Sequence, residues 1–146
     1  MKKLTSIEDV LDIAIAGEIE SRQLYIKMAA MVEEPFVRKT VERLAEEELQ
    51  HRIKLTGVKA GKATLEHKDV GDLGIARTLE EVKPHAGMTY RELLVFAIKK
   101  EDISCKLYEK LAAVFSRAEL KDLFSKLAEE EADHRRRFEL QYEQMS

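Results

Sequence analysis

Leu44-Ala45-Glu46-Glu47-Glu48-Leu49-Gln50-His51-Arg52 returns at an offset of 83 as Leu127-Ala128-Glu129-Glu130-Glu131-Ala132-Asp133-His134-Arg135. The same offset carries Glu18 onto Glu101, Ser21 onto Ser104 and Tyr25 onto Tyr108. One offset shared by separated blocks divides the chain into two related halves. Each half reads as a pair of helices. Ile7, Val10, Leu11, Ala14, Ile15, Leu24, Met28 and Val32 follow a 3.6-residue period, in a helix starting near Ser6 with Asp9 in its first turn. Glu33, Glu34 and Pro35 interrupt it, and Pro35 suits the first turn of a second helix, from about Phe36 to Thr56, with Gly57 as its stop. Thr89-Tyr90-Arg91-Glu92 is a capping box opening a third helix. Ser116-Arg117-Ala118-Glu119 is another, opening the fourth directly after the third ends near Phe115.

The halves thus cover 6–57 and 89–144, with 58–88 between them. That segment holds Gly61, Gly71, Gly74, Pro84 and Gly87, and Ile75–Val82 reads as a short helix of its own. Helices rising ~1.5 Å per residue over some ~20 residues exceed ~30 Å, so a long connection can cross the bundle from end to end. The expected fold is all-α: one ferritin-like four-helix bundle spanning 1–146, made of two antiparallel hairpins joined by one long crossover.

Composition agrees. Hydrophobic residues make up 45% and charged residues 36%, with only 6 Gly and 2 Pro, as long amphipathic helices require. A net charge of −3 with both signs interspersed leaves no footprint for nucleic acid or an anionic membrane. Met1-Lys2-Lys3-Leu4 runs straight into polar Thr5, Ser6, Glu8 and Asp9, and no apolar stretch reaches the length of a membrane span. The expected location is cytoplasmic. Cys105 is the single cysteine, which excludes an intrachain disulfide, a four-cysteine iron site and a C-x-x-C redox motif. The chemistry must therefore use oxygen and nitrogen ligands.

Glu48 and His51 stand three residues apart, on one helix face, and Glu131 and His134 repeat the pair. Glu18 and Glu101 add one carboxylate from each remaining helix. Four carboxylates and two imidazoles facing inward can hold two divalent cations, whose four positive charges offset the cost of burying four negative ones. The set matches the pattern of ferritin-like di-iron and di-manganese carboxylate proteins. A duplicated bundle with ordinary surface charges would not explain why these identities persist while Leu49/Ala132 and Gln50/Asp133 differ.

Tyr25 and Tyr108, seven residues beyond Glu18 and Glu101, share a face with them. Their hydroxyls are expected to hydrogen-bond ligand carboxylates, the alternative being core aromatics with satisfied hydroxyls. Cys105 reads as packing. His67 and His85 have no repeat partners and read as surface residues. Glu46, Glu47, Glu129 and Glu130 read as solvated charges, with Glu47 and Glu130, one turn before each histidine, placed to orient an imidazole. Arg135-Arg136-Arg137 lies between acidic residues and reads as a salt-bridged face.

Ala16-Gly17-Glu18 with Tyr25, Glu48-Leu49-Gln50-His51, Glu101 with Tyr108, and Glu131-Ala132-Asp133-His134 together resemble a rubrerythrin-type ferritin-like protein, with motifs in all four helices. The resemblance implies a di-iron centre that reduces hydrogen peroxide or dioxygen in defence against oxidative stress. It also implies an external electron donor such as a rubredoxin-like protein, and a homodimer or larger homo-oligomer; the long crossover leaves open a swap of the second hairpin between subunits. Two departures stand out. The four-cysteine rubredoxin domain typical of the family is absent from these 146 residues. The family's additional glutamate, one turn beyond the third-helix ligand and associated with ligand switching, is replaced by Ile103, Ser104 and Cys105. Carboxylate and imidazole ligands also accept manganese or zinc. A di-manganese catalase-like enzyme, an iron-binding or ferroxidase protein without peroxidase turnover, and a structural bundle therefore remain open at the level of sequence.

Overall fold

In a computed structural model the described residues are 6–61 and 87–145. They form four helices: α1 (Ile7–Met31), α2 (Pro35–Ala60), α3 (Tyr90–Val114) and α4 (Ala118–Gln144). Most of the crossover, with the expected Ile75–Val82 helix, His67 and His85, lies outside the described residues.

The ends follow local chemistry. Ser6 caps α1 by accepting from the Asp9 amide at 3.1 Å. The Glu34 carboxylate caps α2, accepting from the Phe36 and Val37 amides at 3.1 and 2.9 Å, with Pro35 in the first turn. At α3 the capping box is complete: the Glu92 amide donates to Thr89 Oγ1 (3.1 Å) and the Thr89 amide to Glu92 Oε1 (3.0 Å). Two expectations need correction. Gly57 does not end α2, which runs on to Ala60 with Gly61 as its cap. Leu55 is buried, and Val58 packs half-buried on the same apolar cluster, so packing carries the helix past its glycine. Nor is Ser116 the cap of α4. Arg117 takes that position in extended backbone, without a side-chain cap.

Short turns make α1–α2 and α3–α4 antiparallel hairpins, and the hairpins meet along α1 and α3. Tyr108 on α3 reaches Glu18 on α1, while Tyr25 reaches Glu101. Ascending α1 from 18 to 25 therefore means descending α3 from 108 to 101, so these helices are antiparallel. It follows that α2 and α3 run parallel, so the end of α2 and the start of α3 lie at opposite ends of the bundle. The all-α ferritin-like architecture is thus established.

Two apolar clusters fill the two ends. One includes Val10, Leu11, Leu55, Leu111, Phe115 and Phe124; the other includes Met28, Val41, Leu44, Leu93, Leu94 and Phe138. The offset of 83 exchanges them: Val10, Leu11 and Ala14 map onto Leu93, Leu94 and Ala97, and Val41, Leu44, Ala45 and Leu55 onto Phe124, Leu127, Ala128 and Phe138, all buried. Between the clusters lies a layer of buried polar side chains. None of the described helices is long and apolar enough to cross a membrane.

Candidate metal centre

Glu18, Glu48, His51, Glu101, Glu131 and His134 all lie in that layer, none more than 2% exposed. Each sits on the inward stripe of its helix, where apolar neighbours one turn away fix its direction. They form two groups that share Glu48 and Glu131. Glu18, Glu48, His51 and Glu131 make one; Glu48, Glu101, Glu131 and His134 make the other. Within each group one ligand atom per residue lies within 4.8 Å of all the others. Ligands ~2.2 Å from a common ion are at most ~4.4 Å apart, so either group needs to contract only slightly around a cation.

The donor chemistry fits metal. Glu18 Oε2, Glu101 Oε2 and Glu131 Oε2 are buried without a hydrogen-bond partner among the described residues. Buried carboxylate oxygens are costly to leave unpartnered, and all three belong to residues of the two groups. Each group is therefore able to hold a metal ion, two in all.

The surrounding contacts cross between the halves. Tyr25 donates to Glu101 Oε1 and Tyr108 to Glu18 Oε1, leaving the second oxygen of each glutamate directed elsewhere. Each tyrosine thus touches a glutamate of the opposite half and not the one on its own helix. His51 Nδ1 lies 2.8 Å from Glu131 Oε1, and His134 Nδ1 2.8 Å from Glu48 Oε1. Their outer nitrogens meet partly exposed carboxylates, His51 Nε2 at 2.6 Å from Glu130 Oε2 and His134 Nε2 at 3.2 Å from Glu47 Oε2. The two rings stack at 5.8 Å with 8° between their planes. Repetition in the sequence singled out Glu47 and Glu130. Which histidine each meets depends on α2 and α4 running antiparallel, and no spacing within one helix encodes that.

Electrostatics show what the layer lacks. Burial, then the charges of Glu101 and Glu18, push Glu48 well above the usual carboxylate range. Burial also raises Glu101, tempered by His134 and Tyr25. Burial works on Glu18 in the same direction, but the neighbouring Glu48 and His51 and the Tyr108 hydroxyl prevail and hold it low. Burial opposes the imidazolium at both histidines, yet Glu18 and Glu130 raise His51, and Glu101 and Glu47 raise His134. Burial and the neighbouring glutamates push both tyrosines far above their ordinary value, so they stay protonated donors. Without added positive charge the four carboxylates cannot all ionise.

Other residues fall away from the centre. Cys105 packs in the first apolar cluster; its thiol donates to Glu109 at 3.4 Å and is pushed up to about 11, chiefly by burial. Arg135 pairs with Asp102 at 2.6 Å, while Arg136 and Arg137 pair with Asp133 at 3.3 and 3.0 Å, the expected salt-bridged face.

Among known proteins, the sequence model of the family described as Rubrerythrin matches residues 9–86 and 92–146. No protein of curated function matches the chain. The solved structure of a hypothetical protein from Pyrococcus furiosus is similar, with a TM-score of 0.73 over 93% of this chain and 87% of that one. At 24% identity that likeness speaks for the fold alone.

Proposed function

The chain belongs to the rubrerythrin family, and from that premise we propose that it is a non-haem di-iron oxidoreductase reducing hydrogen peroxide or dioxygen. The observation that carries the reading is the buried layer itself: two groups sharing two glutamates, with three buried oxygens unpartnered among the described residues. In this reading Glu18, Glu48, His51 and Glu131 would hold one ion and Glu48, Glu101, Glu131 and His134 the other. Two ferrous ions bound there would supply the two electrons that, with two protons, reduce hydrogen peroxide to two waters or dioxygen to hydrogen peroxide. The chain's own part is to hold them. Four carboxylates match the charge of two divalent ions and retain oxygen ligands for the ferric pair, Tyr25 and Tyr108 fix Glu101 and Glu18, and the apolar clusters exclude bulk water. Electrons return from an external protein donor of rubredoxin-like type.

The test begins with metal analysis of protein purified without added metal, followed by stopped-flow mixing of the ferrous form with peroxide and with dioxygen under a chemical reductant. Two irons per chain and repeated turnover with peroxide are expected. Oxidation in a single round, with iron retained and no turnover, would move the protein to the iron-handling class. Manganese as the native metal with peroxide disproportionation would make it catalase-like.

A further inference from the structure

We propose that Glu130 and Glu47 are positioning residues acting across the halves, Glu130 on His51 and Glu47 on His134. The proposal rests on the metal-binding reading above and deepens it. A neutral imidazole carries one N–H and one lone pair, and a partner at one nitrogen decides which is which. Glu130 Oε2 stands 2.6 Å from His51 Nε2 and claims the proton there. That leaves the lone pair on Nδ1, the nitrogen beside Glu131 (2.8 Å) and Glu18 (3.7 Å). Glu47 Oε2, 3.2 Å from His134 Nε2, leaves the lone pair on Nδ1 beside Glu48 (2.8 Å) and Glu101 (3.6 Å).

The crossing is what a helix-local reading would miss. Glu130 lies one turn before His134 on α4, and Glu47 one turn before His51 on α2, so each would be paired with its own helix's histidine. Antiparallel packing of α2 on α4 exchanges them. Removing Glu130 therefore damages the metal position of the other half and spares the histidine on its own helix. The shorter contact also makes Glu130 the stronger of the two. Both carboxylates lie at the edge of the bundle, 34% and 47% exposed, so a glutamine there leaves the buried layer's packing intact.

Cobalt(II) is the probe. Apo wild-type protein and the variants E130Q and E47Q are titrated by visible d–d absorption. Crystals loaded with one and two equivalents give the occupancy of each position by anomalous scattering. Wild type should take two cobalt ions. In E130Q the position of Glu18 and His51 should weaken about 10- to 100-fold while that of Glu101 and His134 keeps its affinity. E47Q should show the mirror pattern with a smaller loss, and E130D, which keeps the charge, should lose less than E130Q. Loss at the position on the same helix, equal loss at both, or no loss at either would overturn the proposal. A control separates this from failure of the parent reading: if the double variant E48A/E131A still binds two cobalt ions, the ligand assignment itself is wrong.

Discussion

Tyr25 and Tyr108 each serve a glutamate that belongs to the other half of the chain, and that crossing makes their removal informative. In Tyr25→Phe both oxygens of buried Glu101 lose every donor, since Oε2 has none to begin with. A buried acceptor stripped of its partner costs about 1–3 kcal/mol, so denaturant unfolding of the apo protein should show that loss for Y25F and a similar one for Y108F through Glu18. Metal-loaded protein should lose less, because a cation engages the carboxylate in place of the hydroxyl. A loss in the apo protein no larger than about 0.5 kcal/mol would show that the hydroxyls do not serve the carboxylates. The candidate ligands were legible because the repeat preserves Glu18, Glu48 and His51 at 101, 131 and 134 while their neighbours drift. Partner identities were not legible. Tyr25 shares a face with Glu18 in its own helix, and only the antiparallel setting of α1 against α3 sends its hydroxyl to Glu101.

Helix ends show the same division between local and tertiary information. Ser6, Pro35 and Thr89 declared themselves in sequence because capping is a contact within three residues. Gly57 misled because its neighbours Leu55 and Val58 gain enough by packing to keep the helix going. At the start of α4, adjacent residues compete for one cap, and Arg117, whose guanidinium reaches Glu119 at 3.0 Å, holds it instead of Ser116. Substitutions at these places should move stability in opposite directions. A Cβ added at Gly57 would meet nothing within 4 Å, and Gly57 is not among the positive-φ residues, so Gly57→Ala should stabilise by about 0.5–1 kcal/mol. Thr89→Ala removes one side of the capping box and should cost about 1 kcal/mol. Thermal unfolding of the two variants beside wild type measures both; a destabilised G57A would mean that α2 is strained at that point.

Across the described helices the repeat relates two apolar clusters on either side of a buried polar layer, and the response to pH follows from that layer. Without metal, His51 and His134 are held above their ordinary range by facing carboxylates, against burial, and Glu48 is pushed well above its own by burial and by Glu101 and Glu18. A group with a raised folded pKa contributes stability below its unfolded pKa and loses it as pH climbs through the folded one. Glu18, lowered, works in the opposite sense, but its change falls at acid pH. The apo melting temperature should therefore fall as pH rises above the ordinary histidine value of about 6.5, while the increment on adding metal grows as protons cease to compete for the ligands. An apo melting temperature that rises over that range would contradict the charge balance. The same symmetry bears on the oxidised state. In the resembled family an extra carboxylate one turn beyond the third-helix ligand lets an iron exchange histidine for glutamate, because the ferric ion favours anionic oxygen. Here Ser104 is neutral and short, and the nearest candidate, Asp102, is drawn away by Arg135 at 2.6 Å and Lys106 at 2.8 Å. With Ile103, Ser104 and Cys105 in place of a carboxylate one turn beyond Glu101, both histidines should stay bound in the reduced and oxidised states. Preference for peroxide over dioxygen should then be weaker than in relatives that carry the switch. Paired structures of the two states, with oxidation rates for each oxidant, measure this. A metal displacement beyond about 1–2 Å with a histidine released would show that another group on this chain replaces the missing carboxylate.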